Sequence, residues 1–241
     1  MQTAEDAARI KEIGAPSERV GVTGNVKYDR TVDAGGCKRF GYFRRSDKDV
    51  VVVCGSTHPG EEDAIMGAYK RAFERDNRLR LVIAPRHVER SRRVCRAVED
   101  AGFSALTVSA AAKSAACEKT VFVVDTMGIL IKIYEESDIV FIGGSLVKKG
   151  GHNIIEPASL MKPVVFGPHM ENFRDMSARF LEKDAAVAVE NADGLMDALI
   201  ALSTDRQRMK ALGERAYGIV IENKGAVDRT LDAIESETGR F

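Results

Sequence analysis

From Val50 onward, short apolar runs alternate with stretches whose apolar residues recur every three or four positions. Val50–Cys54, Leu79–Ala84, Ala105–Val108, Val121–Val124, Ile139–Ile142, Val164–Phe166 and Ala186–Val189 lack the in–out alternation of a half-solvated sheet. Continuous apolar runs of that length predict parallel strands buried on both faces. Between them, Glu61–Arg75 sets Ile65, Ala68, Tyr69, Ala72 and Phe73 on one helical face. Val88–Ala101, Ile129–Glu136, Ile154–Met161 and Asn172–Leu181 predict further helices, and from Asp193 onward come two or three amphipathic helices and no strand. Ahead of the alternating region, Thr3 with Asp6 three residues later marks the start of a helix that should end near Gly14. A short strand over Arg19–Thr23, a polar linker running to about Asp49 and a small-residue loop, AAAKSAACEK, complete the prediction. Repeated strand–helix–strand units build an open parallel α/β sheet with helices on both faces.

In such a sheet ligands gather at the carboxyl ends of the strands. All four histidines fall there: His58 follows the strand ending at Cys54, His87 the one ending at Ala84, His152 the one ending at Ile142 and His169 the one ending at Phe166. The same loops carry Ser56-Thr57-His58-Pro59-Gly60-Glu61-Glu62, Pro85-Arg86-His87 and Asp125-Thr126-Met127-Gly128. A guanidinium beside an imidazole suits a phosphate or carboxylate, and the small, turn-prone segment after Asp125 suits a flat base held by backbone groups.

The richest of these loops lies in the run Asp138–Pro157, DIVFIGGSLVKKGGHNIIEP. A buried strand leads through Gly143–Gly144 and Gly150–Gly151, with Ser145, Lys148 and Lys149 between them, and after His152 and Asn153 comes a helix start with Glu156 in its first turn. Glycine lets backbone N–H groups approach a ligand, and the helix N-terminus favours an anion, so this strand, loop and helix are expected to hold a phosphate beside sugar hydroxyls. The alternative is that both glycine pairs only make turns. The spacing is neither GxxxxGK[ST] nor GxGxxG.

Charge and cysteine content narrow the classes. Lys+Arg and Asp+Glu each total 36, which gives no reason to expect bulk nucleic-acid binding. The apolar runs fall far short of the ~20 residues that a membrane span needs. Cys37, Cys54, Cys95 and Cys117 show no CxxC pairing and read as reduced, structural thiols of a cytosolic protein, not as zinc ligands. No metal is expected; a leaving phosphate would be stabilised by protein dipoles and by Arg or Lys charge.

The motifs GNVKYD (24–29), STHPGEE (56–62), APRHVER (84–90), DTMG (125–128), GGSLVKKGGHNIIEPA (143–158) and GPHMENF (167–173), in that order, resemble the C-terminal, donor-binding half of the 3-deoxy-D-manno-octulosonic acid (Kdo) transferases. The resemblance runs from about Thr3 to Val189. It implies the Rossmann-like C-terminal domain of a GT-B fold followed by C-terminal helices. About 1–30 would be the end of the acceptor half and the interdomain linker, and 31–241 the CMP-Kdo-binding domain, its terminal helices starting near 193. It implies transfer of Kdo from CMP-Kdo to a lipid A precursor in lipopolysaccharide assembly, inverting, metal-independent and with no cofactor beyond the donor. Lys27 would stabilise the transition state. Arg86, His87, Met127, Gly128, Ile129, Asn153, Ile154, Ile155 and Glu156 would contact CMP, with Ser56, Ser145, Gly151 and His152 completing the donor site.

Two departures from the family pattern follow. Ile129 stands where the family usually has Glu after DTMG, so only backbone contacts are expected from that position. The acceptor half, which in the family carries the membrane anchor, the lipid A surface and a glutamate base, has no counterpart here; Met1 is expected to begin inside its last helix. The isolated chain is therefore expected to be inactive by itself, soluble and cytoplasmic, while the full-length family works at the cytoplasmic face of the inner membrane. Two other functions compete: a nucleotide-binding module without turnover, and a UDP-sugar-using GT-B enzyme or epimerase.

Overall fold

The computed structural model describes residues 1–29, 46–111 and 119–238, the side chains through 236. The polar linker and the small-residue loop, with Cys37 and Cys117, lie largely outside the described residues. The chain divides into two compact units, Met1–Asp33 with Gly218–Phe241, and Ala34–Tyr217.

In the smaller unit, helix α1 spans Ala4–Glu12. Thr3 caps it, its hydroxyl accepting from the Asp6 N–H at 3.0 Å, as the spacing of the two residues predicts. The strand expected over Arg19–Thr23 does not form. Ser17–Arg19 is a 3-10 turn, and the Thr23 and Gly24 N–H groups donate to the Met1 carbonyl instead of to a neighbouring strand. The GNVKYD segment folds as the 3-10 turn Val26–Asp29. Its polar residues serve the backbone: Asn25 Oδ1 accepts from the Lys27 N–H, and the Asp29 carboxylate accepts from Gly225 and Val227 at 2.6 Å each, capping the final helix of the chain, Ala226–Thr238. Tyr28 is buried and the Lys27 side chain is exposed.

The larger unit alternates strand and helix: β1 Val50–Thr57, α2 Glu62–Arg75, β2 Leu79–Pro85, α3 Ser91–Asp100, β3 Ser104–Thr107, α4 Val108–Ala111, β4 Thr120–Val123, α5 Leu130–Glu136, β5 Ile139–Ile142, α6 Ile155–Ser159, β6 Val164–Phe166, α7 Arg174–Glu182, β7 Ala186–Ala188 and α8 Ala192–Thr204, and the unit boundary after Tyr217 falls within α9, Arg206–Glu222. Among the described residues the strands form one seven-stranded sheet in the order β3-β4-β2-β1-β5-β6-β7, and every pairing is parallel.

Both faces of the sheet are covered, which is why the strands read as unbroken apolar runs. Val50, Val52, Cys54, Leu79, Leu81, Ile83, Ile139 and Phe141 join a core with Ile65, Tyr69 and Ala72 of α2 and Leu195, Leu199 and Leu202 of α8. Their alternate neighbours Val51, Val53, Val82, Val140 and Ile142 are equally buried. Tyr134 of α5 brings its hydroxyl against Gly55 of β1, where a Cβ would collide with it. Two expected helices begin as 3-10 turns, Val88–Arg90 and Glu171–Phe173, and α6 stops short of its expected end, where Met161 takes a φ of +56°. Cys54 and Cys95 are free thiols, the first buried. No helix among the described residues is long and apolar enough to cross a membrane.

Candidate functional site

The chain leaves β1 for β2 on one side and returns at β5 on the other. The loops after β1 and β5 therefore face each other where the strand order reverses, the place where open α/β sheets bind ligands. They meet closely. The Gly143 N–H donates to the Gly55 carbonyl at 2.7 Å, and a side chain on Gly143 would collide with the Ser56 carbonyl. Ser56 itself takes a φ of +59° where the β1–β2 register slips. Gly144 has a φ of +70°, and a Cβ there would come to 3.2 Å from the rings of both His58 and His152. Gly150 and Gly151 are crowded in turn by Asn172 and Met170.

Glu61 joins the two loops. Its side chain is fully buried, and its carboxylate accepts four backbone N–H groups: His58 at 3.1 Å and Gly144 at 2.7 Å on one oxygen, Ser145 at 3.1 Å and Leu146 at 3.0 Å on the other. Burial pushes its pKa up and the four hydrogen bonds oppose that shift. The next residue, Glu62, is also buried. It forms a bidentate pair with Arg90 at 2.7 and 3.1 Å and accepts from the Thr57 hydroxyl at 3.1 Å. The Arg86 N–H donates to the Thr57 carbonyl at 2.9 Å, bringing the loop after β2 alongside.

Three imidazoles converge on this junction. His58 Nε2 lies 2.8 Å from His152 Nε2, the rings parallel within 1° and 5.0 Å apart at their centroids. His87 meets His58 edge to face at 6.3 Å. At 2.8 Å one Nε2 must carry the proton and the other accept it. Burial pushes His152 down to about 4, with the charges of His58, Arg86 and His87 acting in the same direction. His58 is lowered by burial first, then by Lys149, His87 and Arg90, against an opposing pull from Glu62. Both shifts favour the neutral form of the two rings, which the hydrogen bond between them requires.

The junction holds only part of the expected set. His58, Arg86, His87 and His152 come together, and Lys149 is near enough to act on His58. Met127 and Gly128 are exposed beyond β4, with Ile129 half-buried behind them at the start of α5. Asn153 follows His152 directly. Its Oδ1 accepts from the Ile155 N–H at 3.0 Å and its amide donates to Glu156 at 3.1 Å, so this pair orders the start of α6. Ile154 and Ile155 have buried side chains, and Gly151 is enclosed, donating its N–H to Gly144.

Ser145 is turned away from the rim. It is fully buried, its hydroxyl donating to the Ile142 carbonyl and accepting from the Gly167 N–H at 2.7 Å. Lys27 belongs to the smaller unit and His169 pairs with Glu171 at 3.2 Å. Sequence reasoning passed over Glu61, whose only signal is a carboxylate three residues after His58 at a helix start. A cavity of about 570 Å³ between α2 and α3 is lined by Arg90, Arg92, Arg93 and Arg96, and Glu62, Asp63, Glu89 and Asp100 balance their charge.

No protein-family model matches the chain. It is 33% identical over 232 residues to the 3-deoxy-D-manno-octulosonic acid transferase of Haemophilus influenzae, covering 94% of this chain and 54% of that protein. Among solved structures it resembles the C-terminal CMP-Kdo binding domain of WaaA from Acinetobacter baumannii, with a TM-score of 0.67, 30% identity, and coverage of 72% of this chain and 90% of that domain. A putative UDP-N-acetylglucosamine 2-epimerase from Listeria monocytogenes shares the fold at 16% identity, a TM-score of 0.63, and coverage of 98% of this chain and 58% of that one. The chain spans about half the length of the curated relatives it matches.

Proposed function

Because the chain belongs to the 3-deoxy-D-manno-octulosonic acid transferase family, matching its C-terminal CMP-Kdo-binding domain, we propose that the β1–β5 junction binds CMP-Kdo as the donor half of a Kdo transferase. The observation that carries this reading is the cationic junction itself: His58 and His152 in contact at the reversal of strand order, with Arg86, His87 and Lys149 around them.

In this reading the phosphate sits against the imidazole pair and Arg86, a charge-assisted contact. The cytosine lies over the Met127–Ile129 backbone, where Ile129 offers no carboxylate, and Asn153 with Glu156 faces the ribose hydroxyls at the start of α6. A lipid A sugar hydroxyl attacks the anomeric carbon of Kdo with inversion. The carbon–oxygen bond to CMP breaks and the electron pair leaves on the phosphate. The base that takes the hydroxyl proton comes from the acceptor half, which this chain does not match in its relatives, so the chain alone binds donor without turning it over. No metal or cofactor takes part, and the assembled enzyme works at the cytoplasmic face of the inner membrane.

The test is a turnover assay with CMP-Kdo and a lipid A precursor, with and without a supplied acceptor half and with a chelator present. Transfer only when the halves are combined, unaffected by the chelator, supports the reading. Transfer by the chain alone, or loss with the chelator, refutes the corresponding step.

A further inference from the structure

We infer that Glu61 is a positioning residue: by gathering the His58, Gly144, Ser145 and Leu146 amides onto one buried carboxylate, it sets the contact between His58 and His152 and so decides how the rim meets an anion. Both rings are referenced to it. The His58 N–H donates to the carboxylate directly, three residues upstream. His152 is tied through its neighbour, since the Gly151 N–H donates to the Gly144 carbonyl at 3.0 Å while the Gly144 N–H donates to Glu61 at 2.7 Å.

A second consequence concerns the ligand. The N–H groups of Gly144, Ser145 and Leu146 form the concave anion cradle that a glycine-rich loop offers. Here the chain's own carboxylate fills it. An incoming phosphate finds those donors taken and must meet side chains instead, namely the imidazole pair, Arg86 and Lys149. Glu61 thus turns a backbone anion site into a side-chain one whose charge depends on protons.

Glu61→Gln keeps the shape but leaves one acceptor oxygen and places an amide NH2 group against two of the four backbone donors, while Glu61→Asp withdraws the carboxylate by one methylene. The readouts on the 241-residue chain are imidazole nitrogen NMR across a pH titration without ligand, and calorimetric titration with CMP. In the wild type, His58 and His152 should show one shared Nε2–H and titrate as a linked pair. In folded Glu61→Gln that signal should vanish, the two rings should titrate independently, and CMP affinity should fall roughly tenfold. Glu61→Asp should restore part of both effects.

A folded Glu61→Gln whose histidines behave as in the wild type overturns the inference. So does the failure of both variants to fold, which would assign the carboxylate to the fold as a whole. The nucleotide arm rests on the proposed donor binding and the imidazole arm does not. A wild-type chain that ignores CMP, together with a Glu61→Gln variant that uncouples its histidines, would sink the former and leave the latter standing.

Discussion

His58 and His152, 94 residues apart in sequence, share a hydrogen bond of 2.8 Å between their Nε2 atoms, joining the loops after two strands that are neighbours only because the strand order reverses between them. The bond needs one donor and one acceptor, so a second proton would break it. His152 is held down to about 4 from an ordinary 6.5. As pH falls through 6.5 the unfolded chain binds a proton that the folded chain refuses, so stability is lost from there downward and the loss levels off near pH 4. The groups facing the pair are Arg86, His87, Arg90 and Lys149, all opposing protonation, with Glu62 favouring it. We expect His152→Gln to remove on the order of 2 kcal/mol of this acid sensitivity, seen as a flatter dependence of urea-unfolding free energy between pH 7 and 4.5.

Arg90 and Glu62 form a bidentate pair with 18% and 6% of their side chains exposed. Removing the cation leaves a buried carboxylate whose remaining side-chain partner is the Thr57 hydroxyl. Arg90→Ala should destabilise the chain by about 3 kcal/mol or more in urea unfolding, and Arg90→Ala with Glu62→Gln should recover a substantial part.

Glycine substitutions should separate by what surrounds them. Gly143→Ala drives a methyl into the Ser56 carbonyl, a backbone atom that cannot swing aside, and should cost about 2 kcal/mol or more. Gly67, exposed within α2 with nothing within 4 Å of an added Cβ, should gain roughly 0.5–1 kcal/mol as alanine. Thermal unfolding of the two variants checks both signs.

The sheet was legible because its strands are buried on both faces: runs such as Val50–Cys54 and Ile139–Ile142 cannot be read as half-solvated strands, and the helix face around Ile65 and Tyr69 needed a surface to cover. Arg19–Thr23 misled because apolar residues alone do not supply a neighbouring strand. At the site, the placement of His58, His87 and His152 on one edge followed from counting strands, but their contact did not, since it depends on which strands become neighbours. The glycine loop was the deeper surprise. Of the N–H groups expected to face a ligand, those of Gly144, Ser145 and Leu146 are held by Glu61, while Ser145 spends its hydroxyl inside the fold. A buried carboxylate with only backbone partners leaves almost no pattern in a sequence.

Donor binding is tested most directly by isothermal calorimetry of CMP against the wild-type chain and Arg86→Ala, with UDP as the control nucleotide. CMP should bind the wild type more tightly than UDP does, and Arg86→Ala should weaken CMP by about tenfold or more, the worth of one charge-assisted phosphate contact. An absence of CMP binding, equal affinity for UDP, or near-native CMP affinity in Arg86→Ala would contradict the placement of the donor at the β1–β5 junction.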